Sequence, residues 1–184
     1  MKKQHHQSDL NFNLMSIEFR LRDWLRPPAK ILQEAGVQPG MTVLDFGCGP
    51  GGFSLAAARL VGPEGLVYAV DIHPLAIESV RKAADKEGFT NTRTVFGDNM
   101  ADIPAGQVDI GLLYDVLHDL TKPSLTLSDL HRTLKPNGVL SVSDHHLKEA
   151  PLLSMITGGG FFRFIGSTRW TFQFAKAGTG GTAS

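Results

Sequence analysis

The chain has 184 residues, of which 42% are hydrophobic and 20% charged, with one cysteine and a formal net charge of zero. That is enough chain for one domain with a buried core. It excludes an intramolecular disulfide, a basic field spread over the domain for nucleic acid and, with no long apolar run, a membrane span.

Residues 1–36 read as an N-terminal helical lead-in. Its start, Met1 to Ser8, lacks the apolar core of a signal peptide, and a cytoplasmic setting is expected. Leu14, Ile17, Leu21, Trp24 and Leu25 fall on one stripe of a helix over Phe12 to Arg26, which Pro27-Pro28 ends or interrupts. Such a segment could fold over an active site. Arg20, Arg22 and Arg26 alternate with Glu18 and Asp23, the pattern of a solvated helix face.

From residue 37 to 176, strand and helix signals alternate. Met41 to Phe46 is the first strand and Phe53 to Val61 the first helix of this region. Leu66 to Val70 is a second buried strand. A helix begins at Pro74, where a missing N–H costs little, and Gly88 closes it. Thr92 to Phe96 and Val108 to Tyr114 are the third and fourth strands. Leu127, Leu130 and Leu134 recur at helical spacing, with Pro136-Asn137-Gly138 as the stop, and Val139 to Ser143 is the fifth strand. Leu147 to Gly160 is a short insertion. Two runs, Phe161 to Ile165 and Trp170 to Ala175, then read as an antiparallel hairpin. Residues 177–184 have the composition of a flexible tail.

The fold class that follows is α/β: a doubly wound, mostly parallel sheet of seven strands with an antiparallel C-terminal hairpin. In such sheets a ligand sits at the carboxyl edge, where strand order reverses. Asp45, Asp71, Asp98, Asp115 and Asp144 all fall at or near predicted strand ends. Five acids along one edge suggest a polar ligand pocket.

Gly47, Gly49 and Gly52 satisfy the G-x-G-x-x-G pattern of a dinucleotide turn, and Asp71 lies about 20 residues further on, where a ribose-binding acid is expected. Taken alone, the turn fits an NAD-dependent oxidoreductase as well as an enzyme of another adenosine cofactor. Asp45, two residues before the glycines, favours a cationic ligand group over a pyrophosphate. Gly47, Gly49 and Gly51 also give a tighter G-x-G-x-G spacing. Cys48, inside the turn, reads as a small packing residue.

With these residues in view, the chain resembles the class I S-adenosylmethionine-dependent methyltransferases over roughly residues 37–175. Val43 to Gly52 is similar to the family's first motif, Val67 to Ile72 to its second strand and ribose acid, and Gly97-Asp98-Asn99 to its adenine turn. Val108 to Asp115 and Leu134 to Leu140 are similar to its later junctions. The resemblance implies S-adenosyl-L-methionine as cofactor and a Rossmann-like methyltransferase fold. It places Asp45, Phe46, Gly47, Gly49, Gly51 and Tyr114 at the methionine end, Asp71 on the ribose, and Ile72, Asp98 and Asn99 around the adenine. The acceptor it implies is a small molecule, its identity open; nucleic acid and membrane are not expected partners, and oligomeric state stays open. A general base is needed only for an acceptor protonated at working pH. The catalytic residue is therefore left open, with His118 and His145 as candidates. Asp115, Asp144, His145 and His146 are loosely similar to a catechol-type metal site, but no metal is expected. A non-catalytic S-adenosylmethionine-binding module is the remaining alternative.

Overall fold

The computed structural model describes residues 27–178, so the helix expected over Phe12 to Arg26 lies outside the described residues. A first helix, α1 (Pro28–Glu34), opens the described chain, and Pro28 is its first residue. There follow β1 (Thr42–Phe46), α2 (Gly52–Val61), β2 (Leu66–Asp71), α3 (Pro74–Glu87), β3 (Thr92–Phe96) and β4 (Val108–Tyr114). A single 3₁₀ turn, Leu117–Asp119, leads to α4 (Pro123–Thr133), β5 (Leu134–Ser143), α5 (Glu149–Thr157), β6 (Phe162–Ser167) and β7 (Phe172–Lys176).

The seven strands form one sheet in the order β3-β2-β1-β4-β5-β7-β6. The first five run parallel, and β7 lies antiparallel between β5 and β6. Strand order reverses between β1 and β4, so the crevice expected at a switch point opens above Phe46 and Tyr114.

Alternation along the buried strands divides the core. Leu44, Phe46 and Leu113 point to the face covered by Leu127 and Leu130 of α4 and Leu152 and Ile156 of α5. Val43, Ile110, Leu112 and Tyr114 point to the opposite face, under Ile31 and Leu32 of α1 and Ala57 and Val61 of α2. Asp45 shares the parity of Val43 and therefore meets α2.

Three elements differ from expectation. Helix α4 ends at Thr133, before the Pro136-Asn137-Gly138 stop, and the chain is already extended at Leu134, which pairs with Val108. A residue before proline avoids the helical region, so the helix must close ahead of Lys135. Gly138 then lies so close to the backbone that an added Cβ would stand 3.0 Å from the oxygens of Lys135 and Val108. The insertion at 147–160 holds α5, signalled by buried Leu152 and Ile156 one turn apart. The hairpin is shifted, with an irregular register between Phe164 and Gly166. No helix among the described residues is long and apolar enough to cross a membrane.

Candidate active site

The turn after β1 is held by its own backbone. The N–H groups of Gly47 and Cys48 both donate to the Val70 carbonyl, at 2.8 and 3.0 Å. Gly47, Gly49 and Gly51 have φ of +77°, +51° and +98°, the left-handed region that favours glycine. Space repeats the demand: a Cβ on Gly47 would stand 2.7 Å from Val116 Cγ2, and one on Gly51 2.8 Å from Val80 Cγ2. Gly51 also caps α2, which aims its N-terminus at the crevice.

Asp71 ends β2 and faces this turn. Its Oδ2 accepts the Gly49 N–H and its Oδ1 the His73 N–H, each at 2.8 Å. Burial pushes its carboxyl up, opposed by those two bonds. Each carboxylate oxygen keeps a second lone pair for a ligand hydroxyl.

Asp45 is 3% exposed and accepts the Ser54 hydroxyl at 2.5 Å. Burial pushes its carboxyl from 3.8 to about 6, with Ser54 opposing and nearby Asp71 adding to the rise. No described lysine, arginine or histidine pairs with it. A buried acid without a cation is costly as an anion, and a ligand cation relieves that cost. Cys48 is driven well above its ordinary value by burial and then by Asp45 and Asp71, so it stays a thiol.

Beyond Asp71 the rim is open. Ile72 is 53% exposed, and Asp98 and Asn99 are exposed. The Asn99 side chain accepts the Ala101 N–H at 2.6 Å, which shapes the turn. Phe96, paired with Asp71 across β2 and β3, is 63% exposed and extends this apolar ledge. Sequence reading passed it over as an ordinary strand residue.

Two other expected residues are placed differently. The Phe46 side chain is buried in the core under α4, so only its main chain can meet a ligand. Tyr114 is buried, its ring edge-on to Phe53 with centroids 4.7 Å apart, and its hydroxyl shares a 2.7 Å hydrogen bond with Ser141. Burial pushes that phenol upward, so it stays neutral.

The ends of β4 and β5 carry a different construction. Asp115 has φ +54°, and among the described residues no other non-glycine residue has a positive φ. Its Oδ1 accepts from His145 twice, from Nδ1 at 2.7 Å and from the backbone N–H at 3.0 Å. Asp144 Oδ2 accepts from His118 Nδ1 at 2.8 Å and from the His118 N–H at 3.1 Å; its Oδ1 accepts the His146 N–H. Burial alone would raise the Asp144 carboxyl, but these bonds outweigh it and hold it below its ordinary value. The His146 ring is tilted against both others, with centroids 4.1 Å from His118 and 3.9 Å from His145. The described residues contain no group of three or more His, Cys, Asp or Glu placed to hold a metal ion.

A cavity of about 160 Å³ opens here. Ile31, Phe53, Trp170 and Phe172 form its apolar side, and Asp115 and His145 lie on its polar side. Sequence reading missed Ile31 of α1, Phe53 of α2, Trp170 in the turn between β6 and β7, and Phe172 of β7.

A glycine turn, an acid at the end of β2 that gathers its N–H groups and a reversal of strand order mark a doubly wound α/β domain. The chain belongs to the methyltransferase-domain family, whose pattern matches residues 37–162. It is 32% identical over 135 residues to a 2-phytyl-1,4-naphtoquinone methyltransferase of Nostoc sp., covering 69% of this chain and 59% of that protein. It is 30% identical over 136 residues to a ubiquinone/menaquinone biosynthesis C-methyltransferase of Marinomonas sp., covering 73% of this chain and 54% of that one. The match thus spans little more than half of these relatives. A SAM-dependent methyltransferase from Aquifex aeolicus superposes with a TM-score of 0.72 at 25% identity, over 84% of this chain and 91% of the other. The fold is shared with an arsenic(III) S-adenosylmethionine methyltransferase from Chlamydomonas reinhardtii, with a TM-score of 0.64 at 22% identity over 78% and 66%.

Proposed function

We propose that this chain transfers the methyl group of S-adenosylmethionine to a small-molecule acceptor. The observation that carries the reading is Asp45, a buried carboxylate with no described cation beside it, set behind a turn of left-handed glycines. A ligand with a positive amino-acid end answers that arrangement. A dinucleotide pyrophosphate would meet repulsion from Asp45 behind the glycines, which disfavours the NAD-dependent alternative.

Asp45 holds the ligand's amino group, directly or through water, while the main chain of Phe46, Gly47, Gly49 and Gly51 lies against its methionine arm. Asp71 accepts from the ribose hydroxyls through its remaining lone pairs. Ile72 covers one adenine face, with Asp98 accepting from the adenine amino group and the Asn99 main chain beside it. Tyr114 backs the methionine end through Phe53 and Ser141. When bound, the sulfonium supplies an activated methyl group. The protein's part is to hold the acceptor in line and to exclude water. Neutral composition agrees with a small acceptor rather than a nucleic acid, and a single cysteine agrees with a reducing, cytoplasmic setting.

Calorimetry with S-adenosylhomocysteine and with NAD tests the cofactor. Micromolar binding of the first and none of the second is expected; the reverse result overturns the proposal. Transfer of labelled methyl from S-adenosylmethionine into metabolite pools then separates an enzyme from a non-catalytic module.

A further inference from the structure

Sequence offers two histidines as bases, and the structure separates them. A carboxylate can only accept, so Nδ1 of His145 carries the proton that Asp115 receives, and Nε2 presents a lone pair. Among the described residues, Nε2 of His145 has no partner. His118 Nδ1 lies 2.8 Å from Asp144 Oδ2, and its Nε2 faces the exposed Asp119 carboxylate at 3.4 Å. His145 lines the cavity beside Asp115, and His118 is not among the residues lining it.

We infer that His145 is the catalytic base of this chain and that its acceptor is a one-ring phenol seated in the cavity beside it. The inference rests on the cofactor reading above. An engineered apolar cavity of about 150 Å³ accommodates benzene, and the cavity here is about 160 Å³. Phe53, Trp170 and Phe172 give it aromatic walls, where a planar ring gains edge and face contacts. Its one basic group with an uncommitted lone pair among the described residues is the imidazole of His145. A phenol releases its proton near pH 10, within reach of an imidazole, whereas an aliphatic alcohol does not.

Asp115 is the positioning residue. Its left-handed backbone, uncommon outside glycine, Asn and Asp, sets its carboxylate under both the ring and the backbone N–H of His145. In the step itself the acceptor O–H bond breaks and its proton passes to Nε2 of His145. The oxygen keeps the electron pair and bonds to the methyl carbon, while the carbon–sulfur bond breaks with its pair left on sulfur. The products are an aryl methyl ether, S-adenosylhomocysteine and a proton held on His145. Among the described residues, the ionisable groups around His145 are Asp115 after β4, Asp144 and His146 on its own loop, and His118 and Asp119 in the 3₁₀ turn.

The experiment compares the full chain with His145→Ala on two acceptors, phenol and 4-nitrophenol, the second already ionised at mildly alkaline pH. S-adenosylhomocysteine calorimetry on both proteins reports the cofactor pocket independently. We expect unchanged S-adenosylhomocysteine affinity, a loss of about 100-fold or more in kcat/KM for phenol, and only a few-fold loss for 4-nitrophenol. Without cofactor, 4-nitrophenol added to the native chain at mildly acidic pH should develop its yellow phenolate band on binding, and His145→Ala should not produce it. Equal losses on both acceptors, no loss, or methylation of amines in place of phenols would overturn the inference while the cofactor reading stands. Absence of S-adenosylhomocysteine binding to the native chain would bring down both.

Discussion

The two rims of the crevice are built by different means. On the β1–β2 side the backbone does the holding: glycine φ angles, the N–H groups of Gly49 and His73, and one acid that gathers them. On the β4–β5 side the work passes to side chains, as Asp115 and Asp144 grip histidines 30 and 26 residues away. A backbone-built rim tolerates little change. A rim of paired side chains can be exchanged piece by piece.

Substitution in the backbone rim should therefore cost most. Gly47→Ala adds a Cβ at φ +77° and 2.7 Å from Val116 Cγ2. Urea unfolding should show a loss of roughly 2–5 kcal/mol; a loss below about 1 kcal/mol would show that the turn relaxes and that the rims are not so different.

Asp45→Asn should act in the opposite direction. The folded carboxyl lies above its ordinary value, at about 6 against 3.8, so its stabilising contribution is full below 3.8 and is lost as pH rises through about 6. At neutral pH the variant should be more stable than the native chain by up to about 3 kcal/mol, with the gain vanishing at acid pH, while S-adenosylhomocysteine binds more weakly. Denaturation at several pH values checks the first part and calorimetry the second. A pH-independent difference would remove Asp45 as the strained group.

Asp71→Ala should lower S-adenosylhomocysteine affinity by about 1–3 kcal/mol. Unchanged calorimetry would take Asp71 out of the site. On the side-chain rim, His118→Ala should cost about 1–2 kcal/mol of stability at neutral pH, because Asp144 loses the imidazole bond that helps hold its carboxyl low and keeps only its backbone donors. That contribution belongs to pH above the ordinary carboxylate range and fades as acid protonates Asp144, so the cost should shrink with falling pH. Phenol methylation should survive His118→Ala and not His145→Ala; the reverse would exchange the roles of the two histidines.

The strands β1, β2 and β4 were legible because they are short buried runs closed by glycine or acid. The error at Leu134 came from reading Leu127, Leu130 and Leu134 as one helical stripe, when the last of them is fully buried as a strand residue. Helix α5 escaped because its two buried residues give too short a pattern to stand above loop composition.

By itself the chain determined the parallel sheet, the place of the glycine turn and the two acids that frame it. These depend on local backbone preference and on periodicity, which neighbouring residues carry together. Only the tertiary structure decided which histidine lines the cavity, that Asp45 is buried with no described cation at its side, and that Ile31 and Phe53 meet Trp170 and Phe172 from the far end of the chain. Those outcomes depend on hydrogen-bond direction and burial between segments brought together by strand order, and no spacing along the chain encodes either.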